Sequence, residues 1–454
     1  MNRTDTIIAP ATPAGDGGLA VVRISGTAAK EAIHQFFIPS GKQKILESHH
    51  LYHGYLSNNI GQKVDEVMVV YMQHPRSYTC EDVVEIHCHG GQFVVKSILD
   101  LFLQYGLRLA SPGEFTYRAF MNGRLDLAQA EAVSRLIHSR SESARIMALS
   151  QVDGQLSQAI YRFTSQLRSL LVLVEAWIDF PEEDLPEEQQ QGIYSQLNDI
   201  MSQIATLLDT YQTGKILSEG ATILLLGRPN VGKSSLLNAL LGESRAIVTD
   251  IPGTTRDTLE EYLTIGGMPV KLIDTAGFRS TDDLVELEGV RRAKEKVASS
   301  DLVLFLVDGS HPPHREDDLA YQACVETKSL LVVTKSDLES QSDVSSFRKF
   351  DRVDISTKTG AGLESLREAI LAQLIDHSVG DCESVALTEK RHRDALVHTR
   401  DFLRCAMDSL NVQSSLEFIA LDIRGALDAL GSISGETTPD DILNDIFSSF
   451  CIGK

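Results

Sequence analysis

Residues 222–235 read Thr222-Ile-Leu-Leu-Leu-Gly-Arg-Pro-Asn-Val-Gly-Lys-Ser-Ser235. An apolar run, Ile223 to Leu226, enters a loop with Gly227, Gly232, Lys233 and Ser234 at the spacing G-x-x-x-x-G-K-S, and a helical pattern follows from Ser235 to Leu241. This is the strand–loop–helix setting that a phosphate-binding loop requires. Glycine lets the backbone take the φ values needed to wrap an anion. The loop amides and the helix N-terminus then aim partial positive charge at it. On this reading Asn230, Val231, Gly232, Lys233, Ser234 and Ser235 contact the phosphates, Lys233 reaches the outer ones, and the Ser234 hydroxyl binds Mg²⁺. A doubly wound α/β domain is the fold that carries such a loop.

The flanks extend that reading. Residues 217–378 alternate strands (Thr222–Leu226, Met268–Asp274, Leu302–Asp308, Leu330–Thr334, Asp351–Ile355) with helices, the pattern of a parallel sheet. Residues 1–120 alternate short strands and turns and are read as an α+β domain, with strands at Asp5–Ala11, Leu19–Ser25, Leu51–Leu56, Glu66–Met72 and Val83–His89 and helices at Ala28–Phe37 and Gln92–Tyr105. From about Leu125 the period becomes helical, with faces Leu127/Ala130/Val133/Leu136/Ile137, Ile146/Leu149/Val152 and Leu167/Leu170/Leu171/Val174/Ile178, then a helix at Glu187–Tyr211. Helices return after Ser378, at Thr388–Leu410, Ser414–Leu430 and Thr438–Phe450. The economical organisation is multidomain α/β: 1–120 α+β, 121–216 and 381–454 two parts of one helical bundle domain, and 217–380 an inserted phosphate-loop domain.

Composition narrows the partners. A net charge of −21 repels bare phosphate backbones, so a nucleic acid must be held by a local basic patch or a second protein. Cys80, Cys88, Cys324, Cys382, Cys405 and Cys451 form no C-x-x-C pair, which points to reduced thiols. No apolar run has membrane-spanning length and the N-terminal residues lack an apolar signal core, so the expectation is a soluble, cytoplasmic protein without membrane association.

Three further motifs follow the loop. Asp274-Thr-Ala-Gly277 closes an apolar strand, where Asp274 can hold Mg²⁺ through water and Thr275, Ala276 and the Gly277 amide can meet a γ-phosphate. Between them, Gly253-Thr-Thr-Arg-Asp257 lies in a loop in which Thr255 completes the Mg²⁺ shell, with Thr249, Asp250, Ile251, Pro252, Gly253 and Thr254 taken as nucleotide contacts beside it; an ordinary polar surface loop has the same composition. Thr334-Lys-Ser-Asp337 ends another apolar strand. Asp337 can accept two N–H donors from guanine, which adenine does not supply, while the Lys335 stem packs along the base. Ser356-Thr-Lys358 ends the next strand and adds contacts to the guanine oxygen.

With these motifs in that order, the sequence is similar to translation-factor-type GTPases and, more narrowly, resembles the bacterial tRNA-modification GTPase family MnmE (TrmE). The resemblance covers the whole chain: the surroundings of Arg23, Thr79-Cys-Glu-Asp82, His89-Gly-Gly91, Pro112-Gly-Glu-Phe115, Asp126-Leu-Ala-Gln-Ala-Glu131, the GTPase motifs, and the tail Phe447-Ser-Ser-Phe-Cys-Ile-Gly-Lys454. Position 334 departs from it, being Thr where the family motif has Asn; a hydroxyl keeps one hydrogen bond but not the amide's pair.

The resemblance implies a Mg²⁺-dependent, K⁺-stimulated GTPase. Phe278 stands where many GTPases have a water-orienting Gln, and the family's water-orienting Glu matches Glu286, with Glu288 a nearby competitor. A K⁺ ion bound by Asn230, Thr249, Ile251 and Thr254 would take the place of an arginine finger; Asn230 as a plain turn residue is the alternative. The N-terminal domain would bind formyl-tetrahydrofolate through Arg23, Glu85, Arg124 and Lys454. Arg23 and Glu85 could equally be solvent-facing ladder charges, and Lys454 a frayed tail residue. Cys451 is a candidate reactive thiol or a small inert hydrophobe, and His87 and His89 are read as structural rather than as zinc ligands. Implied partners are a second copy of the chain, a GidA (MnmG)-type flavoprotein carrying FAD, and tRNA, whose wobble uridine would gain a carboxymethylaminomethyl or aminomethyl group. A ribosome-assembly GTPase switch shares the motifs but would need a basic RNA-binding end, where this chain has acidic helices. A purely structural dimerisation protein conflicts with the full set of phosphate and magnesium residues.

Overall fold

The computed structural model describes residues 5–41, 45–139, 141–179, 186–243, 260–274, 296–341, 344–374, 385–412, 415–448, 450 and 453. It has two compact units, Met1–Ser134 with Leu427–Lys454, and Arg135–Ala426.

The first unit holds a seven-stranded sheet: β1 Ile7–Pro10, β2 Gly17–Ser25, β3 Phe37–Pro39, β4 Leu51–Ser57, β5 Lys63–Met72, β6 Val83–Gly90 and β7 Arg108–Leu109, in the order β3-β4-β5-β6-β2-β1-β7. Every pairing is antiparallel except β1 with β7. Strand alternation sends Val22, Ile24, Val84 and Ile86 to one face, where they pack on helices α1 (Ala29–Phe36) and α2 (Gln92–Gln104) through Ile33, Phe36, Ile98 and Phe102. Arg23, Glu85 and His87 point to the other face by the same alternation. Strands β3 and β7 are additions to the sequence reading. The helix expected to run to Phe37 stops at Phe36, because Phe37 pairs with Leu56.

Helix α3 (Glu114–Met121) and the start of α4 (Leu127–His138) meet the C-terminal segment here. Leu127, Ala130, Leu443, Phe447 and Phe450 form one cluster, with the Tyr117 and Phe447 rings edge-on at 5.3 Å. Gly453 (φ +96°) lies so near β1 that a Cβ would sit 2.0 Å from the Pro10 carbonyl oxygen, so only glycine lets the tail approach.

The second unit combines helices with the second sheet. Helix α5 spans Glu142–Val152, α6 Gln155–Asp179, α7 Glu187–Asp209, and α8 Tyr211–Glu219. The expected helix to Tyr211 is therefore two helices, broken at Thr210, whose hydroxyl donates to Leu207 O and accepts from Leu387 N. The α6 stripe is buried as Leu156, Ala159, Ile160, Phe163, Leu167, Leu170 and Val174. The α5 face differs from expectation. Ala144, Met147, Ala148 and Gln151 are buried and Leu149 is exposed, because α5 packs against α8 and the sheet through small residues that allow close approach. The buried part of α4 lies near its start, at Leu127, Ala128, Ala130 and Ala132, and Ile137 is exposed.

Six strands make the second sheet: β8 Ala221–Leu226, β9 Glu260–Ile265, β10 Met268–Asp274, β11 Leu302–Asp308, β12 Ser329–Thr334 and β13 Asp351–Asp354, in the order β13-β12-β11-β8-β10-β9. Five are parallel. The expectation of a wholly parallel sheet is corrected by β9, which pairs antiparallel with β10 across Gly266-Gly267 in a stretch to which the sequence reading assigns no element. Helices α9 (Lys233–Glu243), α10 (Arg315–Cys324) and α11 (Leu363–Leu374) belong to this sheet, and two apolar clusters share its alternating side chains: Ile223, Leu225, Leu304 and Leu306 in one, Leu224, Phe305, Val307 and Val333 in the other. In sequence the chain moves from β8 to β10 on one side and then to β11 on the other. The strand order therefore reverses beside β8, and ligands of such sheets bind at the carboxyl ends there.

Candidate functional site

At that end of β8, Gly227 passes so close to β11 that a Cβ would lie 2.6 Å from Leu306 O. Asn230 (φ +61°) and Gly232 (φ +103°) both take left-handed backbone, a combination that turns successive N–H groups toward one concavity. Lys233, the first residue of α9, is buried, and its Nζ donates to Gly227 O at 2.6 Å and Arg228 O at 2.8 Å. Ser234 and Ser235 stand exposed on the first turn of α9, and Val231 is buried beneath the loop.

The guanine motif comes to the same place. Buried Thr334 donates its hydroxyl to Val231 O at 2.6 Å, with Val307 O 3.2 Å away. A hydroxyl has one proton, so the shorter bond sets its direction, and Thr334 ties the end of β12 to the phosphate loop. Ser356, fully buried after β13, donates Oγ–H to Asp337 Oδ1 at 2.8 Å and holds one oxygen of an exposed carboxylate in place. Lys335 has φ +60°, and its Nζ lies 2.6 Å from Asp308 Oδ2. Lys358 is exposed in the turn that follows Ser356.

The sequence reading missed the charges beneath these motifs. Asp308 ends β11 and is 4% exposed. Burial raises the pKa of its carboxyl, but Lys335 and the Ser310 hydroxyl and amide outweigh this and leave it at about 2. Arg228, inside the phosphate loop, has Nε 3.4 Å from Asp317 Oδ2 and Nη2 4.0 Å from Asp308 Oδ2. Asp317 is fully buried in the first turn of α10, and burial pushes its carboxyl up. The available signal was an acid ending the apolar run Leu302–Val307, as Asp274 ends its own.

Asp274 closes β10 in register with Leu225 of β8, beside the phosphate loop. Thr249, Asp250, Ile251, Pro252, Gly253, Thr254, Thr255, Thr275, Ala276, Gly277 and Glu286 lie outside the described residues, as do Cys451 and Lys454.

A second cluster lies in the first unit. Arg23 and Glu85 are directly opposed on β2 and β6, with Nε and Nη2 of Arg23 2.8 and 2.7 Å from Glu85 Oε1. The Arg23 guanidinium lies over the Tyr78 ring at 5.6 Å and the Phe115 ring at 5.7 Å, and Arg124 covers Tyr78 at 5.3 Å. Arg23 Nη1 also lies 3.4 Å from Gly453 O, so the tail reaches this cluster. Arg23 and Glu85 are thus paired and mostly buried rather than free ladder charges. The Tyr78 hydroxyl is 2.9 Å from Thr116 Oγ1, and the segments that carry Tyr78 and Phe115 are tied down by a charge network. Buried Arg118 pairs with Asp5, Glu81 and Glu114 at 2.7, 3.1 and 3.0 Å, and Arg108 pairs with Asp5 and Glu114 at 2.7 and 2.6 Å. Thr79-Cys-Glu-Asp82 and Pro112-Gly-Glu-Phe115 therefore act as scaffold.

His87, on the same face, has its Nε2 buried without a hydrogen-bond partner, 3.8 Å from Glu85 Oε2. His89 pairs with Asp65 at 2.7 Å, and no metal-holding group of three His, Cys, Asp or Glu occurs among the described residues.

Comparison with known proteins matches residues 127–451 to the family described as MnmE helical domain and residues 6–124 to that of the GTP-binding protein TrmE N-terminus. Among curated proteins, a tRNA modification GTPase MnmE of Syntrophotalea carbinolica is 50% identical over 456 residues, spanning 100% of both chains. Proteins of the same name from Geotalea uraniireducens and Geobacter metallireducens are 46% and 45% identical, spanning 99% and 100% of both chains respectively. Among solved structures, the G domain of a T. maritima FeoB iron transporter aligns with 34% of this chain and 98% of its own, at 28% identity and a TM-score of 0.26.

Proposed function

The chain belongs to the MnmE family of tRNA modification GTPases and is a GTP hydrolase, and from that premise we propose that it hydrolyses GTP to drive modification of the wobble uridine of certain tRNAs. The observation that carries the nucleotide half is the joining of two motifs a hundred residues apart, with Thr334 bonded to the phosphate loop and Ser356 aiming Asp337. The loop amides and Lys233 Nζ bind the β- and γ-phosphates and stabilise the charge that develops as the terminal bond breaks. Asp337 accepts the two guanine N–H donors.

Magnesium would be held by Ser234 and Thr255, with Asp274 acting through water, and potassium by Asn230, Thr249, Ile251 and Thr254. Hydroxyl, amide and carbonyl oxygens are donors that suit both hard cations. When bound, the two ions neutralise phosphate charge. Glu286 orients the attacking water in place of the usual glutamine. Two copies of the chain pair to complete this loop, and the chain works in the cytoplasm with a GidA-type flavoprotein that carries FAD.

The first unit would take a formyl-tetrahydrofolate. The residues fit it: Arg23, Arg124 and Lys454 supply cations for its carboxylates. Glu85 Oε2 and the unpartnered His87 Nε2 offer the paired polar edge that a pterin ring needs. The cofactor when bound supplies the one-carbon unit, while Arg23 holds the Glu85 carboxylate in a fixed orientation through Oε1. Cys451, close in sequence to Gly453, is a thiol that could serve the same site. The product would be a carboxymethylaminomethyl or aminomethyl uridine.

Mass spectrometry of tRNA nucleosides from a strain lacking the gene tests the proposal. Loss of the wobble modification, restored by the unaltered gene and not by Lys233→Ala, is expected. Normal nucleosides together with defective ribosomal particles would overturn it in favour of a ribosome-assembly switch.

A further inference from the structure

Two elements of the nucleotide site converge on a carboxylate that belongs to none of its motifs. Asp308 Oδ1 accepts from Ser310 N at 3.0 Å and Ser310 Oγ at 2.6 Å. Its Oδ2 faces Lys335 Nζ at 2.6 Å, with His311 Nδ1 at 3.5 Å and Arg228 Nη2 at 4.0 Å. Lys335 comes from the guanine motif and Arg228 from the phosphate loop. Arg228 is steadied in turn by Asp317, whose other oxygen is buried without a hydrogen-bond partner and whose Oδ2 takes the His314 amide at 2.9 Å.

We infer that Asp308 is a positioning residue for guanine binding: it anchors the tip of Lys335 so that the lysine's methylene stem forms a fixed rail beside Asp337. Lys335 is held at both ends, since its backbone is in the left-handed region and its ammonium is on Asp308. A side chain so fixed has little rotamer freedom left to lose when a flat base lies along it. Stability alone is a weak reason for the pair. The Lys335 side chain is 37% exposed, and ion pairs at such exposure contribute little to folding. Asp337, two residues on, is oriented separately by Ser356, so the stem and the base-reading carboxylate have independent supports. The inference rests on guanine nucleotides binding here, and the test separates the two.

Calorimetry with GDP and with IDP, which lacks the 2-amino group, is run on the full-length protein, on Asp308→Asn, on Lys335→Met and on the double variant. Each single change is expected to weaken GDP binding about tenfold, and the double change no more than about twofold beyond either. The GDP-to-IDP ratio stays as in the unaltered protein, because Asp337 sets it. In steady-state hydrolysis by Asp308→Asn the change falls on KM, with kcat at saturating GTP kept within about twofold. Unaltered GDP affinity in Asp308→Asn, or single penalties that multiply in the double variant, would overturn the positioning role. Failure of the unaltered protein to bind GDP would overturn the reading of the site itself. If Asp308→Asn does not fold, Lys335→Arg against Lys335→Met carries the test. Arg can keep the pair with Asp308 and is expected to bind GDP within about threefold of Lys, whereas Met binding as tightly as Lys would sink the inference.

Discussion

The nucleotide site and the Arg23–Glu85 cluster are built by opposite means. At the first, each contributing group sits in a short contiguous motif at a strand end, and the parallel sheet delivers those ends to one edge. At the second, single side chains from β2, β6, α3, the Tyr78 loop and the tail meet through antiparallel register and one glycine contact. A site of the first kind tolerates changes between its motifs. A site of the second kind depends on register, where a slip of one residue would turn Arg23 into the helix-covered core.

That contrast can be broken at either end. Lys233→Ala removes the cation of the phosphate loop and is expected to lower GTP turnover about 100-fold or more while leaving the Arg23 cluster intact, as phosphate release alongside folate titration would show. Next in size is an acid effect common to both regions. Burial raises the Asp308 pKa, but Lys335 and Ser310 bring it down to about 2, and Asp5 is held below the usual range first by Arg108 and then by Arg118. Burial likewise raises Glu114, yet Arg108, the Ser111 amide and Arg118 leave it lowered. A lowered folded pKa contributes stability that is complete above the ordinary carboxylate value and is lost as pH falls through the folded one. Chemical denaturation between pH 5 and 2 should therefore show a loss below about pH 4, of which Asp308 contributes no more than about 1 kcal/mol once its solvent-screened Lys335 partner is discounted. Stability that is flat over that window would mean that neither network forms.

Smaller still, Arg23→Ala is expected to weaken formyl-tetrahydrofolate binding about tenfold and to leave GTP hydrolysis unchanged within about twofold. A matching fall in both would show that the two sites are not independent. Smallest is Thr334→Val, which loses only the hydroxyl's bond to Val231 and should weaken GDP binding about fivefold by calorimetry. No change would mean that backbone pairing alone joins β12 to the loop.

The same contrast governs what could be read in advance. Gly227 to Ser234 was legible because four fixed positions lie within eight residues and backbone geometry alone demands glycine there. Thr334, Asp337 and Ser356 were legible as ends of apolar strands. Asp308 went unread although it has the same placement, because its partners Lys335, Ser310 and Arg228 are fixed by strand order rather than by spacing. Arg23 and Glu85 are 62 positions apart. Alternation puts each on a face but says nothing of which strands are neighbours, so the resemblance names both as site residues while their pairing comes into view only with the register of β2 on β6. The buried side of α5 was misread for a different reason: alanines carry little hydrophobic signal, yet they are what lets that helix approach β10.

Both borders of the six-stranded sheet carry charge. On one side Asp351, Arg352 and Asp354 are exposed along β13, and on the other Glu261 is exposed on β9. Bare peptide groups at such a margin would otherwise template the addition of another chain's strand. Here a like strand approaching would have to desolvate the Asp351 and Asp354 carboxylates and the Arg352–Asp354 pair on one margin or Glu261 on the other, which disfavours sheet-to-sheet polymers.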